Sequence, residues 1–267
     1  MQTMTTVLVE PSTTVFGVSR TLIYRLLSVV GLFGLWQIGG IIPISVAFPT
    51  FTDTMRALYE MTLDGRMIQA YADTLKPLFI GVGISGGFGI VLGVTMGLNR
   101  TFQWFWEPIF VVLQAAPVAA LIPLITFVYG IGLAAKVVAV IILAAPIIVL
   151  NAYKAVRNAS PTLIQMCYSF QGTRMQQIWK VIIPNASPVI FAGLRLGVAA
   201  GFIGVILAEL LITPTGIGDL ITYHRSVAEY AEMYAAVFSV IAFSAITVGL
   251  LERAETKFFR PDKKVGR

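Results

Sequence analysis

The sequence predicts an all-α integral membrane protein with about six transmembrane helices. Three observations predict it. Of 267 residues, 57% are hydrophobic and only 12% are charged, whereas soluble domains carry roughly 25% charged residues. Mean hydropathy is +0.84. The apolar runs are long and continuous, without the alternation that marks barrel strands. In lipid the backbone must satisfy its own hydrogen bonds, which leaves helices or a closed barrel, and unbroken runs choose helices.

The elements follow in chain order. Residues 1–19 show no basic stretch, short apolar core and small-residue cleavage site. No removable signal peptide is expected, and the first apolar segment should stay as an anchor. That segment is residues 22–42, with Arg20 and Arg25 at its start and Pro43 after its end. Residues 48–76 are more polar. Pro49-Thr50-Phe51-Thr52-Asp53 reads as a helix start, with Met55, Leu58 and Tyr59 following at near-helical spacing. Two readings fit this stretch: an amphipathic helix at a membrane surface, or a solvated connecting helix.

The second span is residues 77–98, rich in glycine. Its Gly83/Gly87, Gly89/Gly93 and Gly93/Gly97 spacings predict close helix packing rather than a lipid-facing helix. The third span is residues 108–129 and the fourth 137–153, with Pro117, Pro123 and Pro146 inside them. Proline removes a backbone donor and kinks a helix. Such a kink serves either bending during transport or static packing. The fifth span is residues 188–212 and the sixth 233–251, followed by a basic tail.

Basic residues on a membrane protein mark its cytoplasmic loops. With both termini in the cytoplasm, the inner side holds Arg20, Arg25, Arg100, Lys154, Arg157, Arg174, Lys180 and the tail cations. The outer side holds Arg56, Arg66 and Arg225, with Lys76 and Lys136 near span ends. The net charge of +6 therefore points to topology. No nucleic-acid motif is present. The single Cys167 excludes an internal disulfide, and with the single His224 it makes no metal pattern.

Residues 154–187 form a long loop with Lys154, Arg157, Arg174, Lys180 and no acid. Ser160-Pro161 starts a helix, Gly172 breaks it, and a second short helix over about 174–182 is expected to end at Pro184. Two short helices around a tight turn make a knob suited to docking into a cleft on another protein.

This loop resembles the EAA loop of ABC-importer permeases. The family pattern is Glu-Ala-Ala, three residues, Gly, nine residues, then Ile-x-Leu-Pro. Gln165-Met166-Cys167 occupy the first positions and Gln171 the glycine position, and after nine residues come Val181-Ile182-Ile183-Pro184. The spacing and the last proline match, while the residues at 165, 166, 167 and 171 differ. Further stretches resemble the branch that moves nitrate, sulfonates, taurine and bicarbonate. They are residues 117–132 with Lys136-Val137, residues 184–195, Ala208-Glu209-Leu210, and Gly216-Ile217-Gly218-Asp219-Leu220-Ile221.

The resemblance implies a type I ABC-importer permease fold, with an N-terminal region 1–67, a permease domain 68–252 containing the coupling loop at about 160–184, and a tail 253–267. It implies a multi-pass subunit of the bacterial inner membrane that pairs with a second permease copy, cytoplasmic ABC ATPase subunits and an external solute-binding protein. Gln165, Cys167, Gln171, Gly172, Thr173, Arg174 and Pro184 would form the ATPase-coupling loop. The cargo would be a small solute, with an anion of nitrate, sulfonate or taurine type favoured by cations near the outer face.

Other residues carry paired readings. Glu209, near the outer end of the fifth span, serves a pathway or gate, or the structure. Arg195 is too far along the same helix to pair with it and is expected to pair near the inner end. Lys136 attracts an anion or snorkels to the interface, with snorkelling favoured. Gln114 offers hydrogen bonds in the pathway or between helices. Glu107 reads as a helix start, Trp104 and Trp106 as interfacial anchors, and His224 as a surface residue. No Gly-x-x-x-x-Gly-Lys-[Ser/Thr] is present, so no cofactor is expected in this chain, with ATP and magnesium in a partner. The competing class is an autonomous secondary transporter or channel, which predicts internal repeats that the two halves do not show. A membrane enzyme would need convergent catalytic groups, and one histidine with one cysteine supplies few.

Overall fold

The computed structural model describes residues 14–15, 18–42, 45–212 and 214–259. It is a helical bundle preceded by a two-residue antiparallel pairing of β1 (Thr14–Val15) with β2 (Val18–Ser19). α1 (Arg20–Ile41) is the first span. Its C-terminal half is held by rings: Phe33 and Trp36 pack on Phe51, Tyr234 and Phe238. α2 (Phe51–Leu63) starts where the sequence signals it, with Thr50 Oγ1 accepting from the Asp53 N–H at 3.1 Å. It buries Thr54, Ala57 and Met61 along one face. Gly65, at φ +82°, turns the chain. Beside it the Asp64 carboxylate accepts from the Arg66 N–H and guanidinium, which holds its carboxyl below the usual value.

α3 (Arg66–Leu98) begins well before the expected span. Its first turns bury Met67, Ala70 and Thr74 at helical spacing, so packing extends the helix through Pro77. The expected third span is not one straight helix. α4 (Arg100–Ala115) and α5 (Val118–Tyr129) meet at a 103° bend. Pro117 drives Ala116 to ψ 135°, out of helical range, because the proline ring crowds the residue before it. Pro123 and Pro146 stay inside α5 and α6 (Leu133–Arg157).

After α7 (Pro161–Ser169) and α8 (Arg174–Gln177), a π-helical turn over Ile178–Ile182 leads into α9 (Ile183–Leu211). Pro184 therefore does not end the segment, and a continuous apolar helix runs from Arg174 to Leu211. The Ile183 N–H reaches back five residues to Ile178 O, shifting the ladder where Pro184 has no donor to offer. α10 (Ile217–Ser226) and α11 (Tyr230–Phe259) complete the described chain. Among the described residues, five helices are long and apolar enough to cross a membrane, six with the bent pair as one span.

α6 lies between α3 and α9, and glycines set the approach. A Cβ on Gly93 of α3 would sit 2.5 Å from Val149 O, and one on Gly204 of α9 would sit 2.8 Å from Ala139 O. Gly81, Gly89 and Gly97 face α6 in the same way. The expected Gly83/Gly87 pair does not pack: nothing lies within 4 Å of either Cβ position. The two occupy the open face of α3.

Gly93→Ala should destabilise the bundle by about 1–3 kcal/mol, because the contacted atom is backbone and cannot swing away. Gly83→Ala should be neutral or stabilising by up to about 1 kcal/mol, since alanine is the better helix former. Thermal unfolding of the purified protein in detergent checks both, and a larger loss for Gly83→Ala would place the tight contact on the wrong face.

Candidate functional site

Two regions of opposite character lie at opposite ends of the bundle. One is a buried polar knot where α3, α6, α9 and the start of α10 meet. Glu209 and Lys136 are 2% and 3% exposed. Lys136 Nζ donates to Glu209 Oε1 at 2.8 Å, and to the carbonyl and hydroxyl oxygens of Thr215, both at 3.0 Å. An ammonium has three donors, so each is used. Glu209 Oε2 accepts from the Gly218 N–H at 3.0 Å, and the Thr74 hydroxyl donates to the carboxylate at 2.9 Å. Thr74 Oγ1 in turn accepts from the Ile217 N–H at 3.0 Å.

The Gly216-Ile217-Gly218 stretch now has a physical reason. Gly216 has φ +95°, and a Cβ there would strike the Glu209 carboxylate. A Cβ on Gly218 would strike Glu209 Cβ. Backbone must pass close enough for an N–H to reach the carboxylate, and only glycine allows it. Lys136 is thus not a snorkelling residue. Burial beside a carboxylate keeps it inside, where an unpaired charge would be costly.

Arg195, near the middle of α9, pairs with Glu252 and Glu255 of α11, at 3.6 and 3.3 Å. His224 is not a surface residue. Its ring is 1% exposed, with Nδ1 2.7 Å from Glu229 Oε2, and the pair closes the corner between α10 and α11. Glu107 lies inside α4, where Gln103 Nε2 donates to it at 2.8 Å. Trp104 is exposed as an anchor would be, but Trp106 packs against Phe102, Phe105 and Phe110. Gln114 and Pro117 sit at the α4–α5 bend, both exposed.

The other region is the knob. α7 carries Gln165 and Cys167, with Gln165 exposed. The chain reverses over 170–172: Gln171 takes φ +54°, and the Gly172 N–H donates to Cys167 O at 2.9 Å. A Cβ on Gly172 would lie 2.5 Å from Cys167 Sγ, so Cys167 and Gly172 are fitted to each other. Thr173 caps α8 through a capping box with Gln176. Pro184 lies exposed in the first turn of α9. The base is pinned where the Ser160 N–H donates to Asn185 Oδ1 at 3.3 Å. Met166, Tyr168, Phe170, Met175 and Trp179 stand out from the knob, Phe170 at 80% exposed. Among the described residues there is no cluster of metal-ligating side chains.

Removing one member of the knot should cost about 3–5 kcal/mol, because the other is left charged and buried. Glu209→Gln and Lys136→Met should each lower the thermal midpoint sharply. The double variant Lys136→Met/Glu209→Gln should lose less than the sum, with a coupling of about 1–3 kcal/mol. Strict additivity would mean that the two charges do not stabilise each other.

Comparison with known proteins places this architecture. A family model described as binding-protein-dependent transport system inner membrane component matches residues 87–260. The taurine transport system permease protein TauC of Escherichia coli K12 is 28% identical over 74% of this chain and 72% of its own. The putative aliphatic sulfonates transport permease protein SsuC of Bacillus subtilis 168 is 25% identical over 85% and 84%. Among solved structures, a chain of the MetNI methionine ABC transporter, in a study of its inward-facing conformations, superposes with TM-score 0.57 at 21% identity, covering 73% of this chain and 97% of that one. An amino acid ABC transporter chain gives TM-score 0.59 at 17% identity over 76% and 97%. With more than half of its length matched, the chain belongs to the binding-protein-dependent transport system inner membrane components, the multi-pass ABC-importer permeases that work with separate ATPase subunits and a solute-binding protein.

Proposed function

We propose that this permease carries a small anion of sulfonate, taurine or nitrate type, and that the knob at 160–184 is its ATPase-coupling loop. The single observation behind the coupling role is the exposed row of Tyr168, Phe170, Met175 and Trp179 on a knob pinned to α6 and α9. Such a row favours a protein partner, because large apolar side chains grouped on a knob with exposed cations suit an interface. Gly172, Thr173 and Arg174 form its turn, Gln165, Cys167 and Gln171 its first helix and reversal, and Pro184 its junction with α9.

Both termini and the knob face the cytoplasm, as the distribution of basic residues supports. The permease unit is residues 68–252, and it works as a homodimer. ATP and magnesium bind in the ATPase partner. Gln114 and Pro117 face the pathway at the α4–α5 bend, and Glu209 takes part in gating as the fixed point of the outer helix ends.

The anion reading is supported by relatives named for taurine, sulfonates and nitrate. Relatives named for riboflavin and formylaminopyrimidine set the alternative cargo class. Competition by each candidate for solute-stimulated ATP hydrolysis separates the two classes.

The test of the coupling role is a gentle detergent extraction of native membranes with this chain tagged. A soluble ATPase should co-purify stoichiometrically, and replacement of Gly172, Thr173 and Arg174 should abolish its recovery. A chain that purifies alone and moves solute in vesicles without ATP would overturn the reading.

A further inference from the structure

From Pro108 to Ala208 the chain contains no acidic residue, yet it carries Lys136, Lys154, Arg157, Arg174, Lys180 and Arg195. Lys136 and Arg195 are neutralised by Glu209, and by Glu252 with Glu255. The four that remain all lie on or beside the knob. All four are exposed, and among the described residues none has an acidic partner within ion-pair distance. Glu107, the acid nearest to this end from α4, is bound by Gln103.

Two of these cations share a cavity. A hollow of about 350 Å³ opens between the knob and the ends of α3 and α6, and Arg157, Tyr168, Arg174 and Gln177 supply its polar wall. Arg157 comes from the last turn of α6 and Arg174 from the first turn of α8. Arg174 gains nothing from its own helix, since a cation at the start of a helix opposes the dipole. Two guanidiniums with no internal counter-ion, beside a row of exposed aromatic side chains, form a site for an anionic group on the surface that covers those side chains.

We propose that the charged contacts of this permease's coupling loop are all cationic, and that Arg157 and Arg174 receive carboxylate side chains of the ATPase partner. This rests on the coupling role given above. Where the family pattern places a loop glutamate, Gln165 carries no charge, so the charge complementarity between the two proteins lies here in loop cations and partner acids. Such complementarity sets partner choice and association rate, and it makes assembly salt-dependent.

The experiment uses the complete complex in native membranes. In the variant Arg157→Lys/Arg174→Lys, a water-soluble carbodiimide joins each introduced ammonium to an adjacent carboxylate. An amide forms, and the lost water hydrates the reagent to its urea. Mass spectrometry should find residues 157 and 174 linked to aspartate or glutamate of the ATPase. In parallel, Arg157→Glu/Arg174→Glu should weaken ATPase recovery at least about tenfold, and rising salt should weaken recovery of the unmodified complex. Normal recovery of the ATPase by the Glu/Glu variant, or cross-links confined to Glu107 or to another membrane chain, overturns the charge proposal while the coupling role stands. If inorganic phosphate stabilises the unmodified protein but not Arg157→Gln/Arg174→Gln, with ATPase recovery equal in both, the cavity holds a small anion and the proposal also fails. Absence of any ATPase, even with the unmodified chain, defeats the coupling role itself.

Discussion

The rest of the structure depends on how closely α3 and α9 approach α6. Lipid tails are as apolar as leucine, so helices in a bilayer gain little from hiding apolar side chains against one another. Association rests on dispersion and on short interhelical distances, and those require small residues. Gly81, Gly89, Gly93 and Gly97 on α3 and Gly193, Gly197, Gly201 and Gly204 on α9 remove the side chains that would hold the helices apart. Val140, Ile148 and Val149 of α6 fill the surfaces so exposed, each fully buried. Three helices packed in this way form the centre of the bundle, and α11, α4 and α5 are arranged around it.

Charge is then distributed by what each end of this body touches. Two cations within the helical body, Lys136 and Arg195, are neutralised by carboxylates of the same chain. Lys136 meets Glu209 where three helix ends and the start of α10 converge, and Arg195 meets Glu252 and Glu255 across α9 and α11. A buried pair of this kind contributes little net stability but is costly to break, which makes it a device for register rather than for strength. It holds the α10 segment in one position over α3, α6 and α9. At the knob the opposite holds: the cations are left exposed, with no ion pair among the described residues.

Much of this was legible in the sequence where a single chemical rule acts locally. The six apolar runs, the Thr50 cap, the Ser160-Pro161 start and the Gly172 turn each follow from nearby residues. What escaped depends on residues far apart. Lys136 and Glu209 are 73 residues apart, and no local rule says that a lysine at a span edge turns inward. The signal available was that Glu209 is the sole acid in its apolar run and that Arg195 is too far along the same helix to pair with it, which calls for a cation from another helix. The Gly83/Gly87 spacing was indistinguishable from Gly89/Gly93, because spacing names a stripe and not the face that a neighbour occupies. Pro117, Pro123 and Pro146 look alike in sequence, yet only Pro117 breaks its helix, because there the preceding residue leaves helical geometry.

The helix from Arg174 to Leu211 joins the knob to the polar knot. Its 38 residues span about 57 Å at 1.5 Å per residue, so a displacement imposed on the knob has a direct mechanical route to the Glu209 end. The route is not uniform. From Gly193 onward α9 packs closely on α6, with Gly193, Gly197 and Gly204 set against Asn151, Ile148 and Ala139. Before Gly193 the helix contains the π-helical turn over Ile178–Ile182, then Pro184 and Pro188, each of which removes a hydrogen bond from the ladder. The breaks in the helical ladder therefore lie over residues 178–188, between the knob and the part of α9 packed on α6. On the coupling role proposed above, a partner that holds the knob differently in two nucleotide states acts on the three-helix body through this stretch of α9.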